Sequence, residues 1–270
     1  MTDPRADGAV PRPCCLTVAG SDSGGNAGVQ ADLRAFHAYG VHGCTAITAL
    51  TAQNPDGVAG IHLVPAEFVA AQIDAVIGTY SIKAVKTGML ASAKTVRAAA
   101  ERLSAIADAA KIVDPVMVAT SGASLAGREC VEAMKEALLP IATLVTPNIP
   151  ESEALSGVRI TCRGDADEAA KRIFGAFGCA VLIKGGHSTG DIGPADDVLY
   201  DGTDFTRLSL PAVHDPISTH GTGCTLSAAT AAALATGMDL VAAVRSAKEY
   251  VRRAIATSYL VGPRCGVLGF

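Results

Sequence analysis

Short apolar runs rich in β-branched residues alternate with longer Ala-rich segments from one end of the chain to the other, and this alternation limits the fold more than any other feature. Strands that read as continuous apolar runs are buried on both faces, so helices must cover both sides of a mostly parallel sheet. The pattern predicts strands at Cys14–Ala19, Cys44–Leu50, Ile82–Lys86, Lys111–Asp114, Thr143–Thr146, Ala180–Lys184 and Val198–Asp201. Between them it predicts helices at Ala27–Tyr39, Pro65–Thr79, Ala93–Ala110, Arg128–Leu139, Asp165–Phe177, Thr222–Thr236 and Asp239–Leu260. In the third of these, Val96, Ala99, Leu103 and Ile106 make an apolar stripe opposite Lys94, Arg97, Glu101 and Arg102, the signature of a helix lying on a core. Pro65 with Glu67 opens one helix and Gly237 closes another, in keeping with end preferences.

Composition narrows the class. Hydrophobic residues make up 49% of the 270 and charged residues 18%, which supplies a core and argues against disorder. Trp is absent and aromatics are 4%, favouring close helix-on-sheet packing over an aromatic-rich β sandwich. The net charge of −4 comes without a basic cluster, which disfavours nucleic acid as a partner. The longest stretch without Asp, Glu, Lys or Arg, Pro216–Met238, is full of Ser, Thr, Gly and His and is no membrane span. Residues 1–13 are polar, carry no apolar signal segment and read as a flexible arm. Residues 14–270 read as one domain, with Ser188–Asp196 as a surface excursion. The eight cysteines show no sequence spacing typical of zinc, and with no signal peptide they point to a reducing cytoplasm.

In open α/β sheets ligands bind beyond the carboxyl ends of the strands, so the loops there are the candidates for function. Gly20 to Gly28 is Gly-rich and contains Asp22, with Asp32 just beyond it; the loop also reads as a tight turn with Asp22 as its cap. Gly88 to Thr95 approaches a phosphate-binding P-loop, but Ala93 occupies the second glycine position and Lys94 continues onto a polar helix face, so a P-loop is rejected. Gly221-Thr222-Gly223-Cys224 feeds directly into an Ala-rich helix, a junction that gathers unpaired N–H groups into an anion hole. Cys224 lies in the first turn, where the helix dipole is expected to lower its pKa and make it a base or nucleophile. A buried structural Cys is the alternative. Asp114, Asn148 and Glu151 offer oxygen ligands for Mg²⁺, and Lys184 a point charge for polyphosphate. Together they suggest phosphoryl transfer. At another strand end Gln53 carries a donor and an acceptor suited to an aminated heteroaromatic edge. Of the six histidines, only His220 stands in a suspect loop.

The segments AGSDSGGNAGVQADLRAF (19–36), ITALTAQN (47–54), VKTGML (85–90), DPVMVATSG (114–122), TPNIPESEAL (146–155), KGGH (184–187) and STHGTGCTLSAA (218–229) together resemble the hydroxymethylpyrimidine/phosphomethylpyrimidine kinases of the ribokinase-like superfamily. The resemblance runs in order from about Cys15 to Tyr259. It implies a three-layer α/β/α domain, a homodimer, and use of ATP and Mg²⁺ to phosphorylate an aminopyrimidine alcohol and then its phosphate. By motif position it assigns Gln53 to the aminopyrimidine edge, with Gly20, Asp32, Met89 and Val116 lining the pocket. Gly221, Thr222 and Gly223 become the anion hole and Cys224 the base, where most of the superfamily carries Asp. Lys184, Asn148 and Thr222 meet the nucleotide, and Asp114 and Glu151 organise Mg²⁺.

The chain departs from the family pattern at Asn26, Thr120, Ala123 and Ser218, and Val261–Phe270 lacks the usual Gly-rich, His-containing ending, which raises the prospect of lost order there. Pyridoxal kinase activity and a non-catalytic pyrimidine-phosphate binding module are the competing readings.

Overall fold

The computed structural model describes residues 11–54, 57–117, 127–185, 196–263 and 265–270. The arm through residue 10, the departures at Thr120 and Ala123, His187 and nearly all of the Ser188–Asp196 excursion lie outside the described residues.

Among the described residues nine strands form one sheet in the order β3-β2-β1-β4-β5-β6-β7-β8-β9. They are β1 (Cys14–Asp22), β2 (His42–Asn54), β3 (Gly57–Leu63), β4 (Ile82–Thr87), β5 (Ala110–Val113), β6 (Leu144–Val145), β7 (Ala180–Ile183), β8 (Asp196–Tyr200) and β9 (Phe205–Ser209). The six from β2 to β7 pair in parallel, while β3 at one edge and β8 and β9 at the other run antiparallel. Every residue of β7 is buried, as expected of a strand covered on both faces. Two edge strands, β3 and β9, fall outside the predicted set. Most of β3 is exposed, so it lacks the apolar run by which inner strands are recognised.

The helices are α1 (Gly28–Ala38), α2 (Ala66–Ile77), α3 (Ala93–Ser104), α4 (Arg128–Ala133), α5 (Ile149–Ser156), α6 (Arg163–Phe177), α7 (Thr222–Ala235) and α8 (Leu240–Ala256). One face of the sheet packs on α2, α3, α4 and α6 through Val69, Ile73, Val96, Leu103, Ala169 and Ile173. The other packs on α1, α7 and α8 through Phe36, Ala228, Ala231 and Val244. This is the expected three-layer α/β/α arrangement.

Helix α7 explains its own composition. It lies between α1, α8 and the sheet, and Thr225 to Ala233 are all buried, so small side chains are needed where backbones crowd. Its buried hydroxyls do not go unpaired, because Thr225 donates to Gly221 O and Thr230 to Leu226 O, the back-bonding available to Ser and Thr inside helices.

Two predicted helices end early. The segment expected to run to Ala110 stops at Ser104, and the last helix stops at Ala256 before a hairpin of β10 (Tyr259–Val261) and β11 (Cys265–Val267). The described residues of the atypical C-terminus thus pair as two strands, and Leu268 is returned to the interior at 3% exposure. The run predicted as one helix from Arg128 to Leu139 is helical throughout but loosens into a π turn at Met134–Leu138.

Candidate active site

Chain order places β2 on one side of β1 and β4 on the other, so the connections leave β1 and β4 in opposite directions and open a crevice at their carboxyl ends. The predicted loops gather around it. Gly20 is buried beneath Met89, such that a Cβ there would lie 2.5 Å from Met89 Cε. Gln53, partly exposed at the end of β2, is joined to the first loop by Ser23, whose hydroxyl donates to Gln53 O at 2.8 Å. Thr51 Oγ1 donates to Gln53 Oε1 at 3.2 Å. Val116 follows β5 and is partly exposed.

The first loop is shaped by Asp22. Its carboxylate accepts N–H bonds from Gly24, Asn26 and Ala27 at 2.8–2.9 Å, so the turn-capping reading of this residue holds. Neither Ala27 before α1 nor Gly221 before α7 supplies a side-chain cap. The two helix starts meet: Gly221 has φ +87, and a Cβ on it would fall 1.9 Å from Asn26 O. Only glycine satisfies both the left-handed backbone and the contact. His220 Nε2 lies 4.0 Å from Asp22 Oδ2, where the two loops approach each other. Thr222 turns its hydroxyl back to Thr219 O at 3.0 Å, which braces the turn.

The Gly221–Cys224 turn abuts a charged cluster. A Cβ on Gly223 would lie 3.5 Å from Lys184 Nζ and 3.9 Å from Asp114 Oδ2. Lys184 Nζ donates to Asp114 Oδ1 at 2.9 Å, and Ser227 Oγ lies 3.4 Å from Asp114 Oδ2. Burial works against the Lys184 ammonium, but Asp114 and Glu151 outweigh it and hold its pKa above the ordinary value. Burial pushes the Glu151 carboxyl up from 4.5 to about 7, with Asp114 adding to the rise and Lys184 and backbone donors opposing it. Asp114 and Glu151 form an oxygen-only pair whose negative charge is incompletely balanced, and such a pair fits Mg²⁺ with its waters.

Two expectations are revised. Cys224 does lie in the first turn of α7, but its thiol pKa is raised, not lowered. It keeps a partly open surface while packed atoms enclose it, and that desolvation outweighs the Lys86 ammonium and the Gly28 N–H that favour thiolate, with Asp32 and Asp114 opposing as well. Asp32 does not line a pocket. It has no exposed surface and is held by Lys86 and by Thr17 Oγ1, which donates to it at 2.6 Å. Asn148 also has a structural role: its Oδ1 accepts from Glu151 N at 2.9 Å while Glu151 Oε2 accepts from Asn148 N at 2.8 Å. That reciprocal capping box opens α5, a helix the strand-and-helix pattern missed. Asn-x-x-Glu with Pro150 between is itself a helix-start signal.

Lys86 is the residue the loops did not reveal. It sits inside β4, not after it, opposite Thr17 of β1. Alternation along β4 turns it with Ala84 toward α1 and α7.

The phosphomethylpyrimidine kinase family model matches residues 22–268. The hydroxymethylpyrimidine/phosphomethylpyrimidine kinase of Streptomyces coelicolor is 46% identical over 258 residues, spanning 95% of this chain and 94% of that protein. The thiamine biosynthesis bifunctional protein ThiED of Geobacter sulfurreducens is 48% identical over 252 residues, spanning 93% of this chain but 51% of that protein, so the chain matches about half of it. The crystal structure of an ADP complex of Bacillus subtilis pyridoxal kinase superposes with a TM-score of 0.85 at 34% identity, covering 96% of this chain and 97% of the other. Among the described residues no helix is long and apolar enough to cross a membrane.

Proposed function

The chain belongs to the phosphomethylpyrimidine kinase family, and from that premise we propose that it transfers the γ-phosphoryl group of ATP to the hydroxymethyl oxygen of 4-amino-5-hydroxymethyl-2-methylpyrimidine, and then to the resulting phosphate, in thiamine biosynthesis. The observation that carries the reading is the convergence of Gly223 with Lys184 and Asp114. It sets a cradle of N–H groups, a cation and a carboxylate at one point, as charge on a moving phosphoryl group requires.

Gln53 and Met89 hold the pyrimidine ring, one by its polar edge and the other by apolar contact over Gly20. The N–H groups of Gly221 and Gly223 donate to the oxygens of the transferring group, joined by Thr222 N–H as it exchanges its long 3.4 Å bond to Thr219 O, and Lys184 draws on the ATP phosphates. Mg²⁺, held through Asp114 and Glu151, supplies neutralisation of the phosphate oxygens when bound. Cys224, as thiolate, takes the hydroxyl proton while the alcohol oxygen bonds to the γ-phosphorus and the bond to ADP breaks. Phosphoryl transfer asks little else of a protein, since alignment and electrostatics supply most of the rate. In the second step the acceptor is already a phosphate and needs no strong base.

A homodimer fits the surface. Ile61 and Leu63 on the edge strand β3 and Phe68 at the start of α2 are 44%, 49% and 60% exposed, and a second copy would cover an edge that otherwise invites aggregation.

The likeness to a pyridoxal kinase favours a second reading, activity on pyridoxal. Incubation with Mg·ATP and each alcohol, with products resolved by anion exchange over time, tests both. Monophosphate followed by diphosphate from the pyrimidine supports the first reading; pyridoxal phosphate alone supports the second, and no product from either overturns both.

A further inference from the structure

At the opposite end of the sheet, three potential metal ligands that lie far apart in the sequence face one another. Cys14 opens β1, and His42 and Cys44 stand on β2, where Cys14 pairs with His42 and Leu16 with Cys44. Alternation turns His42 and Cys44 to the same face of β2, and the diagonal to Cys14 is short. The two Sγ atoms are 3.6 Å apart, and all three ligand atoms lie within 4.8 Å of one another. Cys14 and Cys44 are 6% and 9% exposed, while His42 is exposed and stacks on Tyr80 with ring centroids 5.5 Å apart. The imidazole thus forms the outer wall of a site whose floor is two buried sulfurs.

We propose that Cys14, His42 and Cys44 bind a thiophilic d¹⁰ cation, Zn²⁺ in the first place. Zinc–sulfur bonds of about 2.3 Å in a tetrahedron place two sulfurs about 3.8 Å apart, close to the separation present. Two sulfurs and an imidazole select zinc over the hard cations that bind oxygen. Both thiols are deprotonated on binding, so each ion taken up releases two protons to solvent. Water completes the fourth position on the exposed side. The site lies about 25 Å from the catalytic crevice along β1, at roughly 3.3 Å per residue. Its effect is therefore structural: it clips β1 to β2 where the chain enters the sheet.

Co²⁺ titration of the full chain, under a phosphine reductant and with Mg²⁺ in excess to occupy carboxylate sites, tests this. One equivalent is expected to develop thiolate-to-cobalt charge transfer in the near ultraviolet and tetrahedral d–d bands in the visible, both displaced by one equivalent of Zn²⁺. Cys44→Ala is expected to abolish the bands. His42→Ala, a surface change that leaves the fold and kinase turnover intact, is expected to weaken binding at least tenfold. The proposal is overturned if the wild type develops no charge-transfer band, or if His42→Ala binds Co²⁺ as tightly as the wild type.

Discussion

The Lys86 ammonium lies 2.8 Å from one oxygen of Asp32 and 2.9 Å from the other, with both side chains wholly shut off from solvent. Burial raises the carboxyl of Asp32, whereas Asp32, Cys224 and Asp114 outweigh the burial of Lys86 and keep it charged. Two short contacts and the Thr17 hydroxyl donated to Asp32 identify an ionised pair. It stands behind Cys224 and links α1 to β4. Removing one partner of a buried pair typically costs about 3–5 kcal/mol, because the other charge is stranded. Lys86→Met is therefore expected to lose that much stability in urea denaturation, and the double change Lys86→Met/Asp32→Leu to recover a large part of it.

Lys86 also bears on the chemistry of Cys224. Burial pushes this thiol up, so thiolate is the minor form at neutral pH and grows as pH rises. The first phosphorylation should accelerate with pH until the thiol has ionised. Cys224→Ala is expected to remove that alkaline limb and to lower kcat by about 10²- to 10⁴-fold, the usual range for proton transfer, with pyrimidine affinity nearly unchanged. Transfer to the monophosphate should suffer less. Steady-state kinetics of each step across pH measures all three.

Glu151 carries the opposite pH signature in stability. Its pKa is raised by burial from 4.5 to about 7, so between those values the folded state holds a proton that the unfolded chain has released. The resulting stability is complete below about pH 4.5 and is lost as pH rises through about 7. Gln at the third helical position also serves a capping box, so Glu151→Gln keeps the start of α5 and removes the charge. The variant is expected to show a flatter stability profile from pH 5 to 8 and weaker Mg²⁺ dependence of turnover, by thermal melts and Mg²⁺ titration.

Gln53→Leu removes the polar edge contact while filling similar space. Loss of a hydrogen bond that leaves a buried ligand group unpaired costs about 1–3 kcal/mol. KM for the pyrimidine should rise about tenfold or more with KM for ATP constant; equal KM values in both proteins would reject Gln53 as the pyrimidine reader.

The apolar edge at β3 yields a last expectation. Ile61→Asp with Leu63→Asp places two charges on an exposed strand, leaves the core untouched and should convert a dimer to a monomer by light scattering. Unchanged mass would remove this edge as the interface.

Much of the molecule is decided locally and so is legible in the sequence. Inner strands such as β7, with every residue buried, must be apolar throughout, and the stripe of α3 and the small residues of α7 follow from the surfaces they meet. The Gly221–Cys224 turn is legible as a glycine-led helix start, because the left-handed Gly221 and the small residues after it are local demands. The edge strands β3 and β9 and the short helix α5 carry weaker local demands, since exposed positions accept many residues and a single capping box is easily read as a loop.

What only the tertiary structure decided are the relationships that depend on neighbours distant in sequence. Helix α7 begins against Asn26, Asp32 turns inward to a strand lysine 54 positions away, and burial reverses the expected shift of Cys224. Cys14 meets Cys44 and His42 although no spacing in the chain suggests it. Periodicity reports whether a residue faces the core or solvent, but a charge or thiol inside the core takes its character from the dielectric and the partners around it. Those are set by the register of β1 against β2 and β4 and by the packing of α1 and α7, and by nothing local.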